Sequence, residues 1–92
     1  MHPISGHRVY DFTTAINLDP NFLSAYRERA KLYAQRAAFK SAIADLNRVL
    51  AAKPKDMESL RDRRRAYLEI RDSTHAIADA EQVFAVADYV YA

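Results

Sequence analysis

The 92-residue chain contains no cysteine, one glycine and three prolines. Without cysteine there is no disulfide framework and no thiolate metal site. The same absence fits a reducing compartment, so a cytoplasmic location is expected. So little glycine and proline points away from β architecture, whose frequent turns draw on both. No apolar run approaches the length of a membrane span. The start of the chain, Met1-His2-Pro3-Ile4-Ser5-Gly6, lacks the basic-then-apolar order of a secretion signal. Signatures of catalysis are missing as well: there is no glycine-rich phosphate loop, no HExxH helix and no nucleophile elbow. His2, His7 and His75 share no recurring carboxylate spacing. The expectation is a protein that is no enzyme and has no cofactor and no metal. Neither sign of charge dominates: 14 basic against 12 acidic residues leave +2, so where the cations lie matters more than their sum.

Half the residues are hydrophobic, which is enough for one small folded domain of marginal stability and too many for a disordered tail. Their arrangement repeats. Ala42-Ile43-Ala44-Asp45 returns 34 positions later as Ala76-Ile77-Ala78-Asp79. The same frame pairs Arg27 with Arg61, Arg29 with Arg63, Tyr33 with Tyr67, Val49 with Val83 and Leu50 with Phe84. Run backwards, it aligns Asp11 with Asp45 and Asp79, Val9 with Ile43, and Pro20 with Pro54. A fixed period of this length is the mark of stacked helical units. The units are residues 1–20 (a half repeat), 21–54 (repeat one) and 55–92 (repeat two with a C-terminal extension), all in a single helical-repeat domain.

Apolar spacing predicts five helices. The first covers about 6–18 and is stopped by Pro20. The second runs from Asn21 or Phe22 to Gln35, with Asn21 as its N-cap. The third runs from Phe39 to Ala52, ahead of Pro54. The fourth starts at an Asp56 cap and ends near Ile70. The fifth starts near Thr74 and, since Asp88 stands where the frame expects proline, can continue through Tyr89, Val90 and Tyr91. Ala37-Ala38 contains no turn-forming residue, so a second possibility is that helices two and three fuse. That would give a rod of ~45 Å at ~1.5 Å per residue, which would exchange a helix with another molecule.

The pattern resembles the tetratricopeptide repeat family. One unit is Ala25-Tyr26-Arg27-Glu28-Arg29-Ala30-Lys31-Leu32-Tyr33 with Phe39, Ala42-Ile43, Asp45-Leu46, Val49-Leu50 and Pro54. The next holds Leu60, Arg63, Tyr67, Ala76-Ile77, Asp79 and Val83. Val9, Asp11-Phe12, Ala15-Ile16 and Leu18-Asp19-Pro20 look like the closing helix of an earlier unit. The resemblance implies an all-α solenoid of antiparallel helix pairs, the first helix of each pair lining a concave groove and the second forming the convex back. Ala42 and Ala76 would sit where axes come close, and Tyr33 and Tyr67 between successive pairs. The chain departs from the family at the family's glycines, which are replaced by Ala30 and Arg64 within the first helices and by Ala37 and Arg71 at the turns. Arg64 would either snorkel or force its helix pair apart.

The resemblance also implies a protein or peptide partner. Arg27 and Lys31 recur as Arg61 and Arg65, a stripe that would project into the groove beside Gln35 and Leu68, with Ser24, Glu58 and Glu69 nearby. A concave basic groove of this kind would suit an acidic segment, through charge-assisted hydrogen bonds. The lysine–asparagine carboxylate clamp of some family members is not reproduced: Lys31 and Asp62 stand at asparagine positions. Arg61-Asp62-Arg63-Arg64-Arg65 could contact phosphate, but Asp62, Glu58 and Glu69 interrupt it and helical phase spreads the arginines, so nucleic acid is not the expected partner. The recurring aspartates Asp11, Asp45 and Asp79 lie a repeat apart and suggest a structural role. The alternative function is a self-assembly module, a homo-oligomer stacked through Phe12, Ile16, Phe84, Val86 and Val90.

Overall fold

The computed structural model describes residues 4–91, with side chains described from 11 to 85. Its five helices are α1 (Ile4–Leu18), α2 (Leu23–Gln35), α3 (Phe39–Ala52), α4 (Met57–Glu69) and α5 (Ser73–Tyr91). Each packs on its neighbours in sequence, and α2 also touches α4 lightly. The result is an all-α solenoid in an envelope of 49 × 28 × 18 Å. The short dimension holds two helices of about 10 Å side by side, a two-layer array. The core runs through the middle of the array, with Ala30, Ala42 and Leu46 packed together under Tyr33 and Ala34. Ala42 and Ala76 are both buried, as close helix approach requires.

Helices two and three do not fuse. Ala37 takes a left-handed backbone (φ 60°), and Arg71 does the same one repeat on (φ 63°). Around Ala37, the Ala38 N–H donates to Tyr33 O at 2.8 Å and the Ala37 N–H to Ala34 O at 3.0 Å. Around Arg71, Asp72 donates to Tyr67 O at 2.8 Å and Arg71 to Leu68 O at 3.0 Å. Both are Schellman closures, which satisfy the last carbonyls of a helix and need a left-handed residue just past its end. The closure ends each helix although the residue in that place is not glycine.

Two N-caps differ from expectation. Phe22, not Asn21, holds the cap position of α2, with no side-chain hydrogen bond. Asn21 instead donates its N–H to Asp19 Oδ1 and accepts from Arg48 Nη2 at 2.9 Å, tying the turn to α3. Asp56 does stand at the cap of α4, but its carboxylate does not reach the backbone. It accepts the Ser59 hydroxyl at 2.5 Å. Among the described residues only Asp72 caps through its side chain, accepting the His75 N–H at 3.2 Å.

The recurring aspartates have partners. Asp45 is 4 % exposed and Asp79 3 % exposed. Arg29 donates to Asp45 through Nε (2.8 Å) and Nη2 (2.6 Å) and to Thr13 Oγ1 through Nη1 (3.1 Å). Arg63 donates to Asp79 with the same two distances and to Asn47 Oδ1 at 2.8 Å. Each guanidinium thus forks onto the second helix of its own pair and reaches back to the second helix of the pair before. The planar fork matches a carboxylate with two parallel bonds, which is why arginine suits this position. Tyr26 and Tyr33 flank Arg29, and Tyr67 flanks Arg63, at 5.6–5.8 Å from ring centroid to guanidinium.

Candidate functional site

Since α2 and α4 touch only lightly, a groove opens between them, with α3 as its floor. Its volume is about 540 Å³, within the range of small-ligand and peptide-anchor pockets, roughly 300–1,000 Å³. Ala30 and Ala34 of α2, Ala66 of α4 and Phe39, Ala42 and Leu46 of α3 supply the apolar surface. The rim is Lys31 and Gln35 on one side and Glu58, Asp62, Arg65 and Glu69 on the other.

Three of the six residues expected in the groove therefore line it: Lys31, Gln35 and Arg65. Arg27, Arg61 and Leu68 do not. Arg27 turns toward the start of α4, its Nε 3.4 Å from Asp56 Oδ2, and this nitrogen is buried without a hydrogen bond. Arg61 and Leu68 are exposed on α4; in the 34-residue frame they correspond to Arg27 and Ala34, so they face the side of α4 away from α2. Nor is the rim basic. Three carboxylates outnumber two cations, because α4 turns Glu58, Asp62 and Glu69 toward α2 along with Arg65. Asp62, which the sequence places at a clamp asparagine position but not among the expected groove residues, lines the groove; its three- and four-residue spacing from Arg65 and Glu58 is the signal that could have found it.

Lys31 Nζ lies 2.6 Å from Glu58 Oε1 and 3.6 Å from Glu28 Oε1. The bond to Glu58 raises the lysine above its ordinary value. Asp62 is half-buried and, among the described residues, has no hydrogen bond or ion pair. Burial, and then the nearby Glu58 charge, push its carboxyl above the usual carboxylate range. A raised carboxyl favours the protonated form in the folded chain. Ionised Asp62 therefore costs stability at neutral pH, and the cost disappears as the pH falls below its unfolded value of 3.8. Asp62→Asn is expected to melt higher than wild type at pH 7, with the gain shrinking to nothing on acidification; thermal melts across pH check this.

Among the described residues no group of three histidine, cysteine or acidic residues could hold a metal ion. His75 stacks on Tyr67 at 4.9 Å, its Nδ1 2.7 Å from Asp72 Oδ2, and this bond holds the Asp72 carboxyl below its usual range. The side chains of His2, His7, Val86, Tyr89, Val90 and Tyr91 lie outside the described residues. Arg64 is exposed, and α4 and α5 pack as closely as α2 and α3, so it wedges nothing apart. Among the described residues no helix is long and apolar enough to cross a membrane.

The sequence matches no family model and no curated protein. By structure the chain is similar to the crystal structure of MamA protein, with a TM-score of 0.80 over 87 % of this chain and 16 % sequence identity. The match spans 44 % of that longer chain. Together with the two identical turns and the two identical arginine–aspartate forks, this places the chain in a tetratricopeptide-like helical fold.

Proposed function

We propose that this protein is a non-catalytic protein-interaction scaffold that holds a peptide segment in the groove between α2 and α4. The observation that carries the reading is the groove itself, an apolar lining between two charged rims on a repeat scaffold. Such an arrangement supplies an anchor pocket and orienting polar groups, which is what a peptide site needs. Lys31, Gln35 and Arg65 would touch the ligand, while Arg61 and Leu68, on the far side of α4, would not. Arg27 holds α2 against the start of α4 and acts on the groove only through that contact.

A display library of random dodecapeptides, selected on the full chain, tests this. Binders are expected that lose at least tenfold in affinity when the groove is filled by Ala34→Leu or by Gln35→Trp. Gln35 is exposed, so its substitution leaves the fold intact. Binders indifferent to both changes would remove the groove as the binding site.

A second reading, self-association, is carried by α5. Ile77 and Phe84 are 60 % and 72 % exposed, while Ile43 and Leu50, at the same repeat positions of α3, are buried where α4 packs. The surface expected around Phe12 and Ile16 is different: Ile16 is buried and Phe12 half-buried. Under this reading the chain sediments heavier than its 10.5 kDa in a concentration-dependent way, and Ile77→Asp with Phe84→Asp returns it to one chain. A single-chain mass for wild type at all concentrations would end it.

A further inference from the structure

We propose that the groove between α2 and α4 selects a segment carrying a lysine or arginine beside an apolar anchor, and not an acidic segment. The inference rests on the groove reading above and narrows it to one ligand chemistry.

The first ground is that two of the four cations expected to attract an acidic ligand, Lys31 and Arg27, already have carboxylate partners within the fold. Glu58 sits 2.6 Å from Lys31, and Asp56 sits 3.4 Å from Arg27. An incoming carboxylate would have to share these cations with the carboxylates already beside them, so the added contact returns little. The second ground is what remains on the rim. Once Lys31 and Glu58 cancel, Arg65 faces two carboxylates, Asp62 and Glu69. Asp62 carries its charge half-buried and without an ion pair among the described residues, and burial together with Glu58 outweighs the favourable charges of Lys31 and Arg65. A ligand ammonium or guanidinium placed there would supply the counter-charge that offsets the lost hydration and the like-charge repulsion. The third ground is the floor. Beside the half-buried Ala34 and Phe39 the groove has space that a leucine- or phenylalanine-sized side chain would fill, bordered by the rim carboxylates on α4.

The dodecapeptides whose binding depends on the groove decide the matter. Lysine and arginine are expected to outnumber aspartate and glutamate among them. The tightest is expected to weaken about tenfold on Asp62→Asn, a single charge-assisted contact, and to weaken again at higher salt. Lys31→Ala, which releases Glu58, is expected to tighten it. Melting of Asp62→Asn confirms that the fold is kept, and Glu69→Gln on the exposed rim gives an independent arm. Groove-dependent peptides enriched in acidic residues, or unaffected by both carboxylate substitutions, would overturn the cationic preference and leave the groove reading standing. If no peptide depends on the groove, both fall together.

Discussion

Asp45→Ala is expected to cost the fold about 3 kcal/mol, the low end for breaking a buried ion pair. The low end is appropriate because the Arg29 side chain keeps 16 % exposure and retains its bond to Thr13. For a chain of this size the total is roughly 5–14 kcal/mol, so the loss is a large share and brings the chain near its unfolding limit. The size of the effect comes from what is left behind. With the carboxylate gone, the Arg29 guanidinium stays between two tyrosines and two helices with three nitrogens and one acceptor, Thr13. If the pair contributes through this penalty more than through attraction, then removing both charges should be far milder. Arg29→Met with Asp45→Leu is expected to recover most of the loss. Chemical denaturation of the three variants measures both terms. A single variant within ~0.5 kcal/mol of wild type, the ordinary range of surface substitutions, would show that the fork is ornamental.

Ala37→Gly combined with Arg71→Gly is expected to stabilise the chain by about 2 kcal/mol in sum. An L-residue held left-handed costs about 1–2 kcal/mol. Glycine removes that cost and gives back about 0.4–1 kcal/mol through a freer unfolded chain. The net is about 1 kcal/mol at each turn, and turns this far apart should add. The melting temperature is expected to rise by roughly 4–8 °C per substitution. The contrary change, Ala37→Val, places a β-branched residue at positive φ, where it is a genuine outlier, and should lower the melting point. A double-glycine variant that melts at or below wild type would mean that the two closures are not under backbone strain.

The 34-residue period makes most of the architecture legible in the amino-acid order. Identical tetrapeptides, paired prolines and apolar spacing place all five helices to within a residue or two. What the period does not supply is the set of contacts made across turns. Arg29 and Asp45 lie sixteen positions apart, as do Arg63 and Asp79, and both intervals are plain in the sequence. Whether such residues meet depends on how the two helices cross, which local periodicity does not encode. The turn at Ala37 is obscured for another reason. Alanine favours helix by propensity, but propensity is a weak prior, and tertiary packing of α2 on α3 overrides it by about the cost of one left-handed residue. Asn21 and Asp56 have the chemistry of caps, yet the Asn21 side chain is drawn to Arg48 of α3, and the Asp56 carboxylate to the Ser59 hydroxyl of its own helix and to Arg27 of α2. In the groove, the stripe of cations on α2 and α4 is readable, and half of it does line the cavity. The carboxylates facing it from α4 read as a balancing charge, because the rotation of α4 against α2 is set by the stacking of the pairs.

The central claim is that a peptide partner enters between α2 and α4. Its most direct test is amide shift mapping of the isotopically labelled full chain during titration with a selected dodecapeptide. The account predicts shifts concentrated at Ala30, Lys31, Ala34 and Gln35 on α2 and at Asp62, Arg65, Ala66 and Glu69 on α4. Shifts gathered instead along Ile77, Ala80 and Phe84 of α5, with the groove amides unmoved, would contradict it.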